Sequence, residues 1–234
     1  MLGKKFILPQ LEMVISPALG QKATLLAMAG GNPPESLWLQ ETAGHSAVFC
    51  ADKGIEACLN AGIVPKALWG DCDSTSAELY ARAQRLGTEV HSFPREKDDT
   101  DLQLLLKELP EGDLICSGVW GGRFDHLYSN VFSLLQYKLK RKNQVLLADS
   151  RELMVLLQAG EAAELSFKIK PYSVSLLPLS SKTMVDFSGV HWPLSNAELE
   201  LLHPYAISNE AEEKSIVCKC HNGYVGLYCC FEKA

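Results

Sequence analysis

The stretch ATLLAMAGG, Ala23–Gly31, is an apolar run of strand length that ends on two glycines, and the same shape returns downstream. Ala47–Ala51 runs into Asp52, and Ala67–Trp69 into Gly70-Asp71-Cys72-Asp73-Ser74. Glu89–Phe93 precedes Lys97-Asp98-Asp99-Thr100-Asp101, Leu114–Ser117 precedes Gly118–His126, and a further run covers Gln144–Ala148. Such short apolar runs bounded by turn signals read as buried strands. Between them, Ser76–Leu86 and Phe124–Arg141 repeat apolar residues every three or four positions, as helices do. The alternation predicts an α/β fold with a mostly parallel, Rossmann-like sheet and helices on both faces.

Beyond Ser150 the helical period is lost. Alternating segments follow at Leu153–Leu157, Glu164–Ile169, Ser173–Leu177, Glu198–Leu202, Ser215–Cys220 and Tyr224–Phe231. Ala159-Gly160, Pro178, Ser188-Gly189 and Asn222-Gly223 separate them. This pattern predicts a smaller antiparallel β-sandwich, with Asn222-Gly223 at a two-residue hairpin turn. No low-complexity linker intervenes, so domains of residues 1–150 and 151–234 are expected to join directly.

The 234 residues are 47% hydrophobic and 21% charged, enough apolar material for a sizeable core. A formal net charge of -6 offers no basic stripe for a nucleic-acid backbone, which sets nucleic acid aside as a partner. Lys4 and Lys5 ahead of an apolar stretch resemble a secretory leader, but Pro9, Gln10 and Glu12 interrupt it. No membrane span is expected either. The cysteines are scattered (Cys50, Cys58, Cys72, Cys116) or late (Cys218, Cys220, Cys229, Cys230), which fits a reduced, cytoplasmic protein better than a disulfide scaffold. The late group with His221 hints at zinc, yet its spacing matches no common finger, and buried thiols are the favoured reading.

In an open parallel sheet, ligands bind beyond the carboxyl ends of the strands. That rim collects Gly30-Gly31, Asp52, Asp71, Asp73, Asp98, Asp99, Asp101 and the 118–126 loop. A single acid is ordinarily a solvated surface group, whereas several on one edge point to a cation. Asp71 and Asp73 stand two apart, so in extended backbone they share a side. Asp98 and Asp101 stand three apart at the start of a helix whose buried face is Leu102, Leu105, Leu106 and Leu109. Helix capping by Thr100 with Gln103, or by Asp98 or Asp99, explains the same residues without chemistry. Carboxylates and water suit Mg²⁺, which takes further oxygens from substrate phosphates. Gly118, Gly121 and Gly122 allow close backbone approach, Arg123 offers a bidentate fork and the helix from Phe124 its first amides, although such a loop is also a plain tight turn. No G-x-x-x-x-G-K-[ST] pattern occurs, which argues against an ordinary P-loop enzyme.

Gly70-Asp71-Cys72-Asp73-Ser74, Lys97-Asp98-Asp99-Thr100-Asp101 and Gly121-Gly122-Arg123-Phe124-Asp125-His126, in that order and spacing, closely resemble the thiamine pyrophosphokinase family. The likeness continues through Ser188-Gly189-Val190-His191-Trp192-Pro193-Leu194 and Ile207-Ser208-Asn209-Glu210. The resemblance implies transfer of a diphosphate group from ATP to thiamine with Mg²⁺ as cofactor, in a homodimer that binds thiamine between subunits. It implies a nucleotide- and metal-binding catalytic domain before residue 150 and a thiamine-binding, dimerising β-sandwich after it. By the same resemblance Asp71, Asp73 and Asp101 hold the metal, with Asp98 nearby as a candidate base. Asp52, Gly122, Arg123, Asp125 and His126 would serve the nucleotide, although His126 equally suits a helix cap. Trp192, Ser208 and Asn209 would receive thiamine: an indole face suits the thiazolium cation, and Ser and Asn match an aminopyrimidine edge. Read without the family, Trp192 is a core residue and Ser208-Asn209 a turn. The same rim would also serve another small alcohol, such as a hydroxymethylpterin, or a non-catalytic nucleotide or thiamine sensor. Asp52-Lys53-Gly54 departs from the family's usual Asp-Gly-Gly, and Lys53 either adds a phosphate contact or narrows the site.

Overall fold

The computed structural model describes residues 3–44, 46–70, 77–94 and 96–233. The chain opens with strands β1 (Lys4–Leu8) and β2 (Leu11–Ser16). An alternating segment follows: β3 (Thr24–Met28), α1 (Ser36–Ala43), β4 (Ala47–Ala51), α2 (Gly54–Asn60), β5 (Ala67–Gly70), α3 (Ala77–Arg85), β6 (Glu89–Ser92), α4 (Asp101–Glu108), β7 (Asp113–Ser117), α5 (Phe124–Arg141) and β8 (Val145–Ala148). The remainder consists of β9 (Glu152–Gln158), β10 (Ala162–Phe167), β11 (Ser173–Pro178), β12 (Lys182–Ser188), β13 (Leu194–Glu200), β14 (Ser215–Asn222) and β15 (Tyr224–Cys230). Two compact units result, one of Lys22–Asp149 and one joining Met1–Gln21 to Ser150–Ala234.

In the Lys22–Asp149 unit the strands run parallel in the order β8-β7-β3-β4-β5-β6. β5, β7 and β8 are buried at every residue, which is why their sequences show no apolar–polar alternation, with Asp113 and Ser117 only at the ends of β7. α4 starts sharply because Thr100 and Gln103 form a reciprocal capping box, with Gln103 N donating to Thr100 Oγ1 at 3.2 Å and Thr100 N to Gln103 Oε1 at 2.9 Å. Its Leu102, Leu105 and Leu106 are buried. The chain steps outward from β3 to β6, then returns to set β7 on the other side of β3. The switch point of the sheet therefore lies between β3 and β7.

The other unit holds an antiparallel sheet of order β1-β2-β10-β14-β12-β13 and the antiparallel strands β11-β15-β9. Its alternation is clean: Phe6, Leu8, Leu11, Met13 and Ile15 are buried, with more exposed residues between them. These N-terminal residues depart from the expectation of a 1–150 domain. β2 pairs with β10 from Leu11↔Phe167 to Ser16↔Ala162, so the first strands complete the unit built by the end of the chain. The Asn222-Gly223 hairpin is also corrected. β14 pairs with β10 and β12 while β15 pairs with β11 and β9, so this turn passes the chain between sheets. Gly223 suits that passage because its φ is +76° and a Cβ would meet Lys182 O at 2.5 Å. β12 was not anticipated, and the strand expected at Glu198–Leu202 lies at Leu194–Glu200. Among the described residues, no helix is long and apolar enough to cross a membrane.

Candidate active site

At the switch point the ends of β3 and β7 are joined by backbone hydrogen bonds. Ala29 N donates to Ser117 O at 2.8 Å, Gly31 N to Gly118 O at 2.7 Å and Asn32 N to Trp120 O at 2.8 Å. The approach excludes a side chain at Gly31, where a Cβ would stand 2.5 Å from Gly118 O and 2.7 Å from Trp120 O. Beyond these loops lies a cavity of about 480 Å³. Gly30 and Gly31 line it after β3, Asp52 and Lys53 after β4, Lys97, Asp99 and Thr100 between β6 and α4, and Asp101 at the start of α4. Val119, Gly121, Gly122, Arg123, His126 and Asn130 complete the wall after β7. Topology thus brings Asp52, Asp99, Asp101 and part of the 118–126 loop to one cavity. Asp71 and Asp73, with the rest of 71–76, lie outside the described residues.

The expected carboxylates are not equivalent. Asp52 adopts a left-handed φ of +51°, and its Oδ2 occupies the space beside Gly30, where a Cβ would come within 2.9 Å. Asp101 is the first residue of α4 and pairs with Lys97 at 2.8 Å, with side chains only 19% and 15% exposed. Asp99 pairs with Lys107 at 2.5 Å. Asp98 is exposed and does not line the cavity. Capping therefore falls to Thr100 and leaves the neighbouring acids to other partners. Arg123 precedes α5 and forks onto Asp125, Nε to Oδ1 at 3.1 Å and Nη2 to Oδ2 at 2.5 Å. These hydrogen bonds raise the Arg123 pKa and lower that of Asp125, whose Oδ1 also accepts the His126 amide at 3.0 Å. Asp125 is absent from the lining, so it acts on the cavity through Arg123 and the start of α5. Among the described residues no three His, Cys, Asp or Glu side chains are grouped closely enough to hold a metal ion. Asp52 and Asp101 nevertheless provide oxygen donors of the kind a hard divalent cation takes.

In the other unit Trp192 is 57% exposed rather than a core residue. Asn209 is buried and both ends of its amide are engaged: Oδ1 accepts Trp192 N at 3.1 Å and Glu210 N at 2.8 Å, while Nδ2 donates to Trp192 O at 2.9 Å. The amide therefore clamps the peptide of Trp192. Ser208 has φ +57°, and its N–H donates to Ser175 Oγ at 3.0 Å. The His191 ring stands edge-on to the indole, 4.5 Å between centroids, and Nδ1 lies 2.5 Å from Glu212 Oε1. The indole is thus presented outward from a fixed backbone.

Two family models match this chain. The thiamin pyrophosphokinase catalytic domain matches residues 38–147, and the thiamin pyrophosphokinase vitamin B1 binding domain matches residues 165–225. The chain belongs to the thiamin pyrophosphokinase family. Thiamine pyrophosphokinase of Bacillus subtilis is 32% identical over 170 residues, 71% of this chain and 78% of that protein. Thiamine pyrophosphokinase 1 of Arabidopsis thaliana is 30% identical over 166 residues, 65% of this chain and 60% of its own length. The crystal structure of the Bacillus subtilis thiamine pyrophosphokinase matches with a TM-score of 0.77 at 25% identity, covering 90% of this chain and 100% of that one. The thiamin pyrophosphokinase from Candida albicans, at 15% identity and TM-score 0.73 over 89% of this chain and 90% of that one, shares the fold.

In this member of the thiamin pyrophosphokinase family, some cavity residues carry no role in the motif reading. Lys97 is one, and its signal is the spacing of four to Asp101. Asn130 is another, four residues after His126 on α5, where it meets the same cavity. Its Nδ2 also approaches Val119 O at 3.5 Å. Asn130 follows from helical spacing once His126 is assigned to the site, whereas Lys97 reaches Asp101 from the loop before α4.

Proposed function

We propose that this protein transfers the diphosphate group of ATP to the hydroxyl of thiamine, giving thiamine diphosphate and AMP. The observation that carries the reading is the match of catalytic and vitamin B1 binding domains, in order, along one chain. The cavity at the switch point supports it, being lined by charged side chains as well as apolar ones, rimmed by glycine backbone and of a size suited to a nucleotide. The thiamine hydroxyl oxygen bonds to the β-phosphorus, the bond from that phosphorus to the oxygen bridging to the α-phosphate breaks, and AMP leaves with that oxygen. The backbone around Gly122, with Arg123 and His126, orients the phosphates. Asp52 lines the reaction space, which makes it better placed than exposed Asp98 to take the hydroxyl proton. Mg²⁺ is the cation we assign to Asp101 with Asp71 and Asp73, and when bound it would neutralise phosphate charge.

Trp192 is assigned to the thiamine ring system, with Ser208 and Asn209 supporting it. A homodimer with thiamine between subunits belongs to the same proposal, and exposed Leu202 (95%), Ile207 (54%) and Tyr205 (47%) supply apolar surface for it. The finer architecture we assign is Rossmann-like, with α1 to α3 on one face and α4 and α5 on the other. α1 touches α2, α2 touches α3 and α4 touches α5, while right-handed crossovers in a sheet that reverses direction require opposite faces. In the β unit, β9 touches β10 and β14, which supports sheets packed as a sandwich. Free thiols at Cys50, Cys116 and Cys218 support a reducing, cytoplasmic setting. The test is to incubate the purified protein with ATP, Mg²⁺ and thiamine and identify the products by chromatography. AMP and thiamine diphosphate are expected. ADP with thiamine monophosphate, or no thiamine-dependent loss of ATP, overturns the reading.

A further inference from the structure

The cations that line the 480 Å³ cavity differ in one respect. Lys97 is committed to Asp101 at 2.8 Å, and Arg123 to Asp125 through two hydrogen bonds. Lys53 is exposed and has no ion pair or hydrogen bond from its side chain among the described residues. Its backbone is well fixed. Asp52 before it takes φ +51°, and Gly54 after it lies so close to β3 that a Cβ would meet Met28 O at 2.1 Å. Lys53 also borders a second cavity of about 290 Å³, and Ala29, Gly30 and Gly31 are common to both linings. Its side chain therefore stands on the wall shared by two contiguous spaces, beside a glycine pair whose bare backbone lets a ligand come close.

We propose that Lys53 contacts the phosphate chain of the bound nucleotide and sets nucleotide affinity in this protein, an inference that rests on the nucleotide reading of the cavity given above. An ammonium with no ion pair among the described residues can meet an anion without first breaking one of those pairs, whereas Lys97 and Arg123 must share or exchange theirs. The contact adds affinity common to ground and transition states, so it acts on binding more than on turnover.

The test is direct binding of α,β-methylene ATP with Mg²⁺ to the full-length protein, by calorimetry, for wild type and for Lys53→Ala, Lys53→Gly and Lys53→Arg, with adenosine as the phosphate-free control. Lys53→Ala and Lys53→Gly are expected to weaken analogue binding about tenfold or more, while Lys53→Arg stays within about threefold. Adenosine affinity should move less than about twofold, and the loss should shrink at high salt. Unchanged analogue binding in Lys53→Ala overturns the inference. An equal loss for adenosine also overturns it, because the side chain then shapes the cavity and does not pair with phosphate. These outcomes are independent of product identity. A wild-type protein that binds the analogue but makes no thiamine diphosphate fails the proposed activity and leaves the Lys53 contact standing.

Discussion

Replacing Asn209 by alanine removes the clamp on Trp192. The side chain makes hydrogen bonds of 3.1 and 2.8 Å through Oδ1 and 2.9 Å through Nδ2, and the residue is only 7% exposed. A neutral hydrogen bond contributes about 1 kcal/mol net, and half-exposed Trp192 lets water replace part of the loss, so the total is about 1–3 kcal/mol. At roughly 2–4 °C per kcal/mol for a chain of this size, the melting temperature should fall by several degrees. If about 1.4 kcal/mol of that falls on the placement of the indole, KM for thiamine rises about tenfold. KM for ATP should stay within about twofold, because the clamp lies in the β unit and the nucleotide cavity in the other. Asn209→Asp keeps the accepting oxygen but sets an anionic oxygen against Trp192 O where Nδ2 donated at 2.9 Å, so it should be no more stable than alanine. Steady-state kinetics with each substrate varied, alongside thermal denaturation, separates the cases. A loss of thiamine affinity with an unmoved melting temperature would mean that the amide touches thiamine directly and the clamp reasoning fails.

Asp101→Asn should lower turnover by about 100-fold or more, as expected for a charge at the reacting phosphates, whereas Asp98→Asn, changed at an exposed residue outside the lining, should stay within about threefold. Equal losses in steady-state assays would reinstate Asp98. Gly122→Ala meets nothing within 4 Å and carries only the left-handed backbone cost at φ +67°, about 1–2 kcal/mol. Gly31→Ala drives a Cβ into Gly118 O and Trp120 O and should cost more in urea denaturation as well as abolish nucleotide binding. Burial pushes the Cys116 thiol up to about 12 from an ordinary 9.0. The folded state thus holds its proton more tightly than the unfolded state, so this contribution is present below about pH 9 and lost as pH rises toward about 12. By then it amounts to a few kcal/mol, at about 1.4 kcal/mol per pH unit. Cys116→Ala should flatten the alkaline fall in melting temperature, and an identical pH profile in that variant would remove Cys116 as its cause.

The α/β unit was largely legible because its inner strands are buried on both faces and helices such as α4 and α5 are amphipathic, so periodicity and burial coincide. Phe124–Arg141 forms a helix over those same residues. The β unit was less legible because its decisive contacts are non-local. β1 and β2 carry a period-two pattern, but nothing local in Leu11–Ser16 shows that its partner is Ala162–Phe167. Asn222-Gly223 has hairpin chemistry, yet the partners already taken by β14 and β15 send it between sheets. At the candidate site the rim followed from topology, while the pairings followed from geometry. That Asp101 meets Lys97, Asp99 meets Lys107 and the Asn209 amide is consumed by Trp192 could be seen only with side chains in place.

Diphosphate transfer is tested most directly with ATP radiolabelled at the β-phosphorus, supplied with Mg²⁺ and thiamine to the purified wild-type protein. The label should appear in thiamine diphosphate while AMP accumulates unlabelled. Label that remains in ADP, or emerges in free phosphate at a rate indifferent to thiamine, would contradict it.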